Sequence, residues 1–148
     1  MTSRQPSALQ ADIGHVFQSR PKRLSFARIL AFSGGPFDAA DWPHKNLHTD
    51  KAKAREAGLD SIIASGTQSE GILIALLVEV CGTAWHSNGT LDVRFVKSVH
   101  VNETITAYAR LRNRQDGTEA PSLAFDVWCA NSAGDSVIAG TAAFRTPI

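Results

Sequence analysis

IIASGTQSEGILIALLVEVCG, residues 62–82, is the stretch on which the architecture turns. From Ile72 to Val78 every side chain is apolar, and only Glu79 interrupts before Val80 and Cys81. At a helical period this leaves almost no polar face, so the spacing predicts a long helix buried inside the protein. Its start is marked twice. Ser65-x-x-Gln68 and Thr67-x-x-Glu70 both fit the pattern in which side-chain oxygens satisfy the free N–H groups of a first turn, and Gly82 supplies the stop.

Downstream of this helix the period changes from 3.6 to 2. GTLDVRFVKSV sets Leu91, Val93 and Phe95 against Asp92 and Arg94, and ETITAYARLR sets Ile105, Ala107, Ala109 and Leu111 against Thr104, Thr106 and Arg110. SLAFDVWCA places Leu123, Phe125, Val127 and Cys129 on one face, and VIAGTAAFR follows a Gly134-Asp135 turn. Three or four half-buried antiparallel strands are predicted, with DGTEAP and NSAGD as the clearest turns. Upstream, KRLSFARILAFS (residues 22–33) fits a strand that ends at Gly34-Gly35-Pro36, FDAADW a short helical turn, and DKAKAREAGL a short helix with Asp50 as N-cap and Gly58 as stop. Residues 1–12 are polar and suggest a loose N-terminal arm or a short peripheral helix around Ala8 to Phe17. One strand, a helical insertion, a buried helix and a run of strands make an α+β domain spanning residues 1–148, in which an antiparallel sheet wraps around the helix.

Composition narrows the function. The chain has 148 residues, 43% of them hydrophobic, with fifteen basic against fourteen acidic side chains for a formal charge of +1. That balance lacks the electrostatic footprint of a nucleic-acid binder, and a small ligand is the expectation. Cys81 and Cys129 lie in apolar segments without C-x-x-C spacing and read as buried thiols; no metal site is expected. The N-terminus has no apolar signal region and the longest apolar run is about half a membrane span, so no membrane association and a cytoplasmic location are expected. Trp42, Trp85 and Trp128 read as core or interface aromatics, and Lys97, Arg110, Arg112 and Arg114 as a solvated charged face.

Proton-handling groups concentrate in one loop. DWPHKNLHTD, residues 41–50, holds two histidines, two aspartates and an asparagine. Together with the small helix after it and IASGTQSEG, this segment resembles the MaoC-like enoyl-CoA hydratases and dehydratases of the hot-dog superfamily. Asn46-Leu47-His48-Thr49-Asp50 matches the latter half of their Asp-x-Asn-Pro-(apolar)-His-x-Asp loop, Ala54 and Gly58 the helix behind it, and Ser65-Gly66 the mouth of the central helix. In that family the Asp precedes the His by five residues, a spacing that falls here on Pro43. The nearest upstream carboxylate is Asp41, so the match requires a loop longer by two residues, or else His44 takes the carboxylate's place.

The resemblance implies a single hot-dog domain forming a homodimer or a dimer of dimers, acting on an acyl-CoA or acyl-carrier thioester. Coenzyme A enters as part of the substrate, and no separate cofactor is implied. Hydration of the α,β double bond needs a base for water, an acid for Cα and donors for the developing enolate oxygen. The expectation is that Asp41 and His48 hold the water, the Gly66 N–H receives the thioester carbonyl at the positive end of the helix, and Asn46, His44, Ser65 and Thr67 contact substrate. Two rival readings are a hot-dog thioesterase using Glu70 or Asp41, and a thioester-binding subunit that has lost catalysis.

Overall fold

A computed structural model describes residues 5–117 and 120–147. Ten elements succeed one another: β1 (Val16–Gln18), β2 (Lys22–Arg23), α1 (Phe26–Ser33), α2 (Lys51–Glu56), α3 (Gly66–Cys81), α4 (Trp85–Asn88), β3 (Gly89–Phe95), β4 (Thr104–Gln115), β5 (Ser122–Asn131) and β6 (Ser136–Arg145). The strands form one antiparallel sheet in the order β1-β4-β5-β6-β3, with β2 also pairing β4, and α3 packs on it chiefly through β4 and β5. This is the expected α+β hot-dog architecture. The alternation is realised side chain by side chain: Ile105, Ala107, Ala109 and Leu111 of β4, and Leu123, Phe125, Val127 and Cys129 of β5, are all buried. Against them α3 buries Leu73, Leu76, Leu77 and Val80.

Four expectations need correction. Residues 22–33 are not one strand: only Lys22 and Arg23 pair with β4, and the chain then enters α1 because Ser25 caps it, its hydroxyl accepting from the Arg28 N–H while its carbonyl accepts from Ile29. The helix turns Ile29 into the core and leaves Phe26 and Phe32 largely exposed. The N-terminal arm is docked rather than loose, and no helix covers Ala8 to Phe17. The Gln5 side chain exchanges two 2.8 Å hydrogen bonds with the Gln18 backbone, Ala8 donates to the Val80 carbonyl, and Ala8 and Ala11 are buried; the first four residues lie outside the described ones. The central helix is not buried all round, since Thr67, Gly71, Ala75 and Glu79 form an exposed stripe. Finally, the basic series on β4 is broken by a bulge between Leu111 and Asn113, after which Arg114 lies opposite Leu123 and donates to the carbonyls of Leu9 and Ala11.

FDAADW folds as two successive turns rather than a helical one, Ala39 donating to Pro36 and Trp42 to Ala39, and the DGTEAP turn lies partly outside the described residues. Trp85 is a core residue beside Phe144, whereas Trp128 stacks on Tyr108 at 5.1 Å between ring centroids. Both cysteines are free thiols, pushed up to about 12 by burial. Among the described residues no helix is long and apolar enough to cross a membrane.

At Gly140, opposite Val93, an added Cβ would run into the Asp92 carbonyl oxygen of the neighbouring strand. Backbone cannot yield there as a flexible side chain could, so Gly140→Ala is expected to cost roughly 1–3 kcal/mol. A thermal melt checks this, and an unchanged midpoint would mean that β3 is free to move off β6.

Candidate active site

The loop between α1 and α2 is folded on its own side chains. His44 donates its backbone N–H to Gly34, and a Cβ on Gly35, whose φ is +81°, would come within 2.7 Å of the His44 imidazole. Glycine at 35 thus serves both the left-handed turn and the approach of the ring. Thr49, only 8% exposed, organises the centre: its hydroxyl donates to the His44 carbonyl at 2.6 Å and accepts from the Asn46 N–H at 2.9 Å. Asn46 then ties two segments together. Its amide nitrogen donates to the Ser33 carbonyl at the end of α1, and its side-chain oxygen accepts from the His48 N–H, both at 2.8 Å. Asp50 caps α2 as expected, accepting from Lys53.

His48 is thereby aimed at the segment that leads into α3. Its Nδ1 lies 2.8 Å from the Ile63 carbonyl oxygen. A carbonyl only accepts, so Nδ1 carries the proton and the neutral ring presents Nε2 as a bare lone pair. Ile63 is itself fixed, bridged to His100, and the adjoining Ala64 N–H donates to Val99. Gly66, three residues on, opens α3. Ser65 stands in the N-cap position, yet neither predicted capping box forms. The Ser65 hydroxyl pairs with that of Thr67 at 2.8 Å and makes no cap hydrogen bond, because Thr67 already lies inside the helix. The first-turn N–H groups consequently have no hydroxyl of Ser65 over them, and the helix dipole concentrates positive potential at that point.

The seven predicted site residues therefore fall into four groups, one of them the Ser65–Thr67 hydroxyl pair at the start of α3. His48 is tied to Ile63, in the segment that leads into α3 and three residues ahead of Gly66. Asn46 acts on the loop backbone, with both ends of its amide engaged by protein. Asp41 pairs with His44, Oδ1 to Nε2 at 3.0 Å, and its side chain is 77% exposed; among the described residues no hydrogen bond joins it to His48. Glu70, named for the thioesterase reading, is half-buried and forms no ion pair among the described residues.

Three contributors escaped sequence reasoning. The Ile63 carbonyl and the Thr49 hydroxyl act only once the loop has closed, although Asn-x-x-Thr at a turn spacing hinted at the second. The third is Phe95, whose ring stands over Gly66. A cavity of about 1090 Å³ lies elsewhere, between α1, the β1–β2 connection and the exposed stripe of α3, and none of the seven residues lines it. Among the described residues no group of three or more His, Cys, Asp or Glu side chains could hold a metal ion.

Comparison with known proteins agrees with this fold. A family model described as MaoC like domain matches residues 18–127. No curated protein matches the sequence at a significant level. Among solved structures, a monoamine oxidase regulatory protein from Archaeoglobus is 25% identical, with 99% of this chain and 100% of that one covered at a TM-score of 0.70. The (R)-hydratase from A. caviae involved in PHA biosynthesis is 19% identical over 95% of this chain and 100% of that one, TM-score 0.70. A truncated HadBC (3R-hydroxyacyl-ACP dehydratase) complex from Mycobacterium tuberculosis is 14% identical over 93% and 99%, TM-score 0.63. At these identities the last two bear on the fold alone.

Proposed function

The chain belongs to the MaoC-like domain family, and on that ground we propose that it is a hydratase or dehydratase of enoyl and 3-hydroxyacyl thioesters. The observation that carries the reading is the 2.8 Å contact of His48 Nδ1 with the Ile63 carbonyl oxygen: with Nδ1–H held there, Nε2 is left to exchange a proton with substrate. In the hydration direction water adds to Cβ, Nε2 takes a proton from that water, and the same proton passes from Nε2 to Cα as the enolate collapses. The negative charge that develops on the thioester oxygen meets the N–H of Gly66 and the positive end of α3. Asp41 and His44, already sharing a hydrogen bond, form the second proton-handling pair. Asn46 is a positioning residue, and Ser65 and Thr67 are close enough to the mouth to touch substrate.

Coenzyme A is the carrier group we assign to the thioester, with no further cofactor. A second copy of the chain is the partner we assign, because β3 lies at the edge of the sheet with backbone groups open to another strand. Two free thiols suit a reducing cytoplasm.

A paired assay on a panel of enoyl-CoA thioesters tests the reading, following loss of conjugated-thioester absorbance and release of free thiol in wild type, Asp41→Asn and Glu70→Gln. Loss of conjugation without thiol is expected, reduced in Asp41→Asn and unchanged in Glu70→Gln. Thiol release that depends on Glu70 would make it a thioesterase instead, and silence in both channels with binding retained would make it a thioester-binding subunit.

A further inference from the structure

Phe95 is the last residue of β3, opposite Ile138, and its parity with Leu91 and Val93 directs it inward. Its ring is nevertheless 53% exposed, where a core aromatic would be covered. It lies on the backbone of Gly66: a Cβ there would stand 2.7 Å from Cδ1, 2.8 Å from Cε1 and 3.1 Å from Cγ. Covalent geometry then places the near edge of the ring within ~5 Å of the Gly66 nitrogen. A side chain at 66 would have to displace the ring, and an acceptor that comes to the Gly66 N–H comes within reach of this half-open aromatic wall.

We infer that Phe95 determines which acyl groups the site accepts, admitting enoyl thioesters unbranched at C2 and excluding those that carry a C2 substituent. The inference rests on the thioester reading above. A carbonyl oxygen held by the Gly66 N–H brings only two neighbours to the wall, the sulfur and C2. Sulfur is common to every thioester, so discrimination between substrates falls on C2. A flat conjugated C=C–C=O lies along a ring face at van der Waals distance, whereas a methyl group on C2 needs space that the ring occupies.

The test compares kcat/KM for trans-2-butenoyl-CoA and its 2-methyl homologue in wild type, Phe95→Ala, Phe95→Leu, Gly66→Ala and the double variant Gly66→Ala/Phe95→Ala, with thermal shift as a binding readout. Wild type should favour the unbranched thioester. One methyl group in an apolar pocket is worth on the order of tenfold or more, so Phe95→Ala should raise the branched-to-unbranched ratio about tenfold, and Phe95→Leu, which keeps most of the apolar volume should Ala unfold the protein, by less. Gly66→Ala should lose thermal stability that the double variant recovers. A ratio within about twofold of wild type in both Phe95 variants, with unbranched turnover intact, would overturn this inference and leave the hydratase reading standing. Wild type that neither turns over nor binds either thioester would overturn both.

Discussion

Replacing His48 by Asn should lower hydration turnover by two to four orders of magnitude, the usual range for removing one positioned acid–base group, while leaving the melting temperature close to that of wild type. The expectation follows from how the imidazole is held. Nδ1 is committed to the Ile63 carbonyl, so the ring cannot present that nitrogen to substrate, and the only titrating atom it can offer is Nε2. An Asn amide, whose nitrogen stands as far from Cβ as Nδ1 does, can imitate the hydrogen bond to Ile63 and preserve the link between the loop and the segment leading into α3, but it offers no lone pair of comparable basicity. The variant therefore separates proton transfer from structure. His48→Ala removes both, and its additional loss of stability should measure the Ile63 contact, of order 1 kcal/mol for a half-buried hydrogen bond. Turnover within about threefold of wild type in His48→Asn would remove His48 from the chemistry and shift attention to the Asp41–His44 pair.

What the sequence made legible and what it concealed divide along physical lines. The faces of β4 and β5 could be read because one side is buried at period 2 through Ile105, Ala107, Ala109 and Leu111 and their counterparts, a signal that local irregularity does not erase. Bulges, by contrast, have no compositional mark. The one at Arg112 turns Arg114 from the solvent series to the N-terminal segment. The one between Cys129 and Ala130 lets Val137 and Ile138, neighbours in sequence, both point into the core. Residues 26–33 contain two phenylalanines and an isoleucine that suit either period, so their structure was decided by a single Ser25 cap, a local bond, and by the burial of Ile29, a tertiary fact. In the site, the loop histidines and asparagine stood out by density alone. The pairing of Asp41 with His44, and the absence among the described residues of any hydrogen bond from Asp41 to His48, depend on how the loop folds back. Spacing alone does not encode that path.

Asn46→Ala should damage both activity and stability, because one side chain completes two separate connections. Its nitrogen satisfies the Ser33 carbonyl at the end of α1, and its oxygen satisfies the N–H of His48. Truncation leaves both partners half-buried without a hydrogen bond, a cost of about 1–3 kcal/mol, which for a chain near this length is a fall of roughly 3–10 °C in melting temperature. The effect on turnover is larger. With the His48 backbone released, Nε2 is no longer held to a fraction of an ångström beside α3, and a displacement of about 1 Å at a reacting group costs up to about a hundredfold. Because the amide touches protein at both ends, kcat should fall more than KM rises, the signature of positioning rather than substrate binding. Asn46→Asp divides the two connections: it keeps the acceptor for His48 but sets a carboxylate oxygen against the Ser33 carbonyl, so it should lose at least as much stability as Ala while retaining more of kcat. A KM effect that exceeds the kcat effect in both variants would mean that Asn46 contacts substrate directly, and the loop would then be held by Thr49 alone.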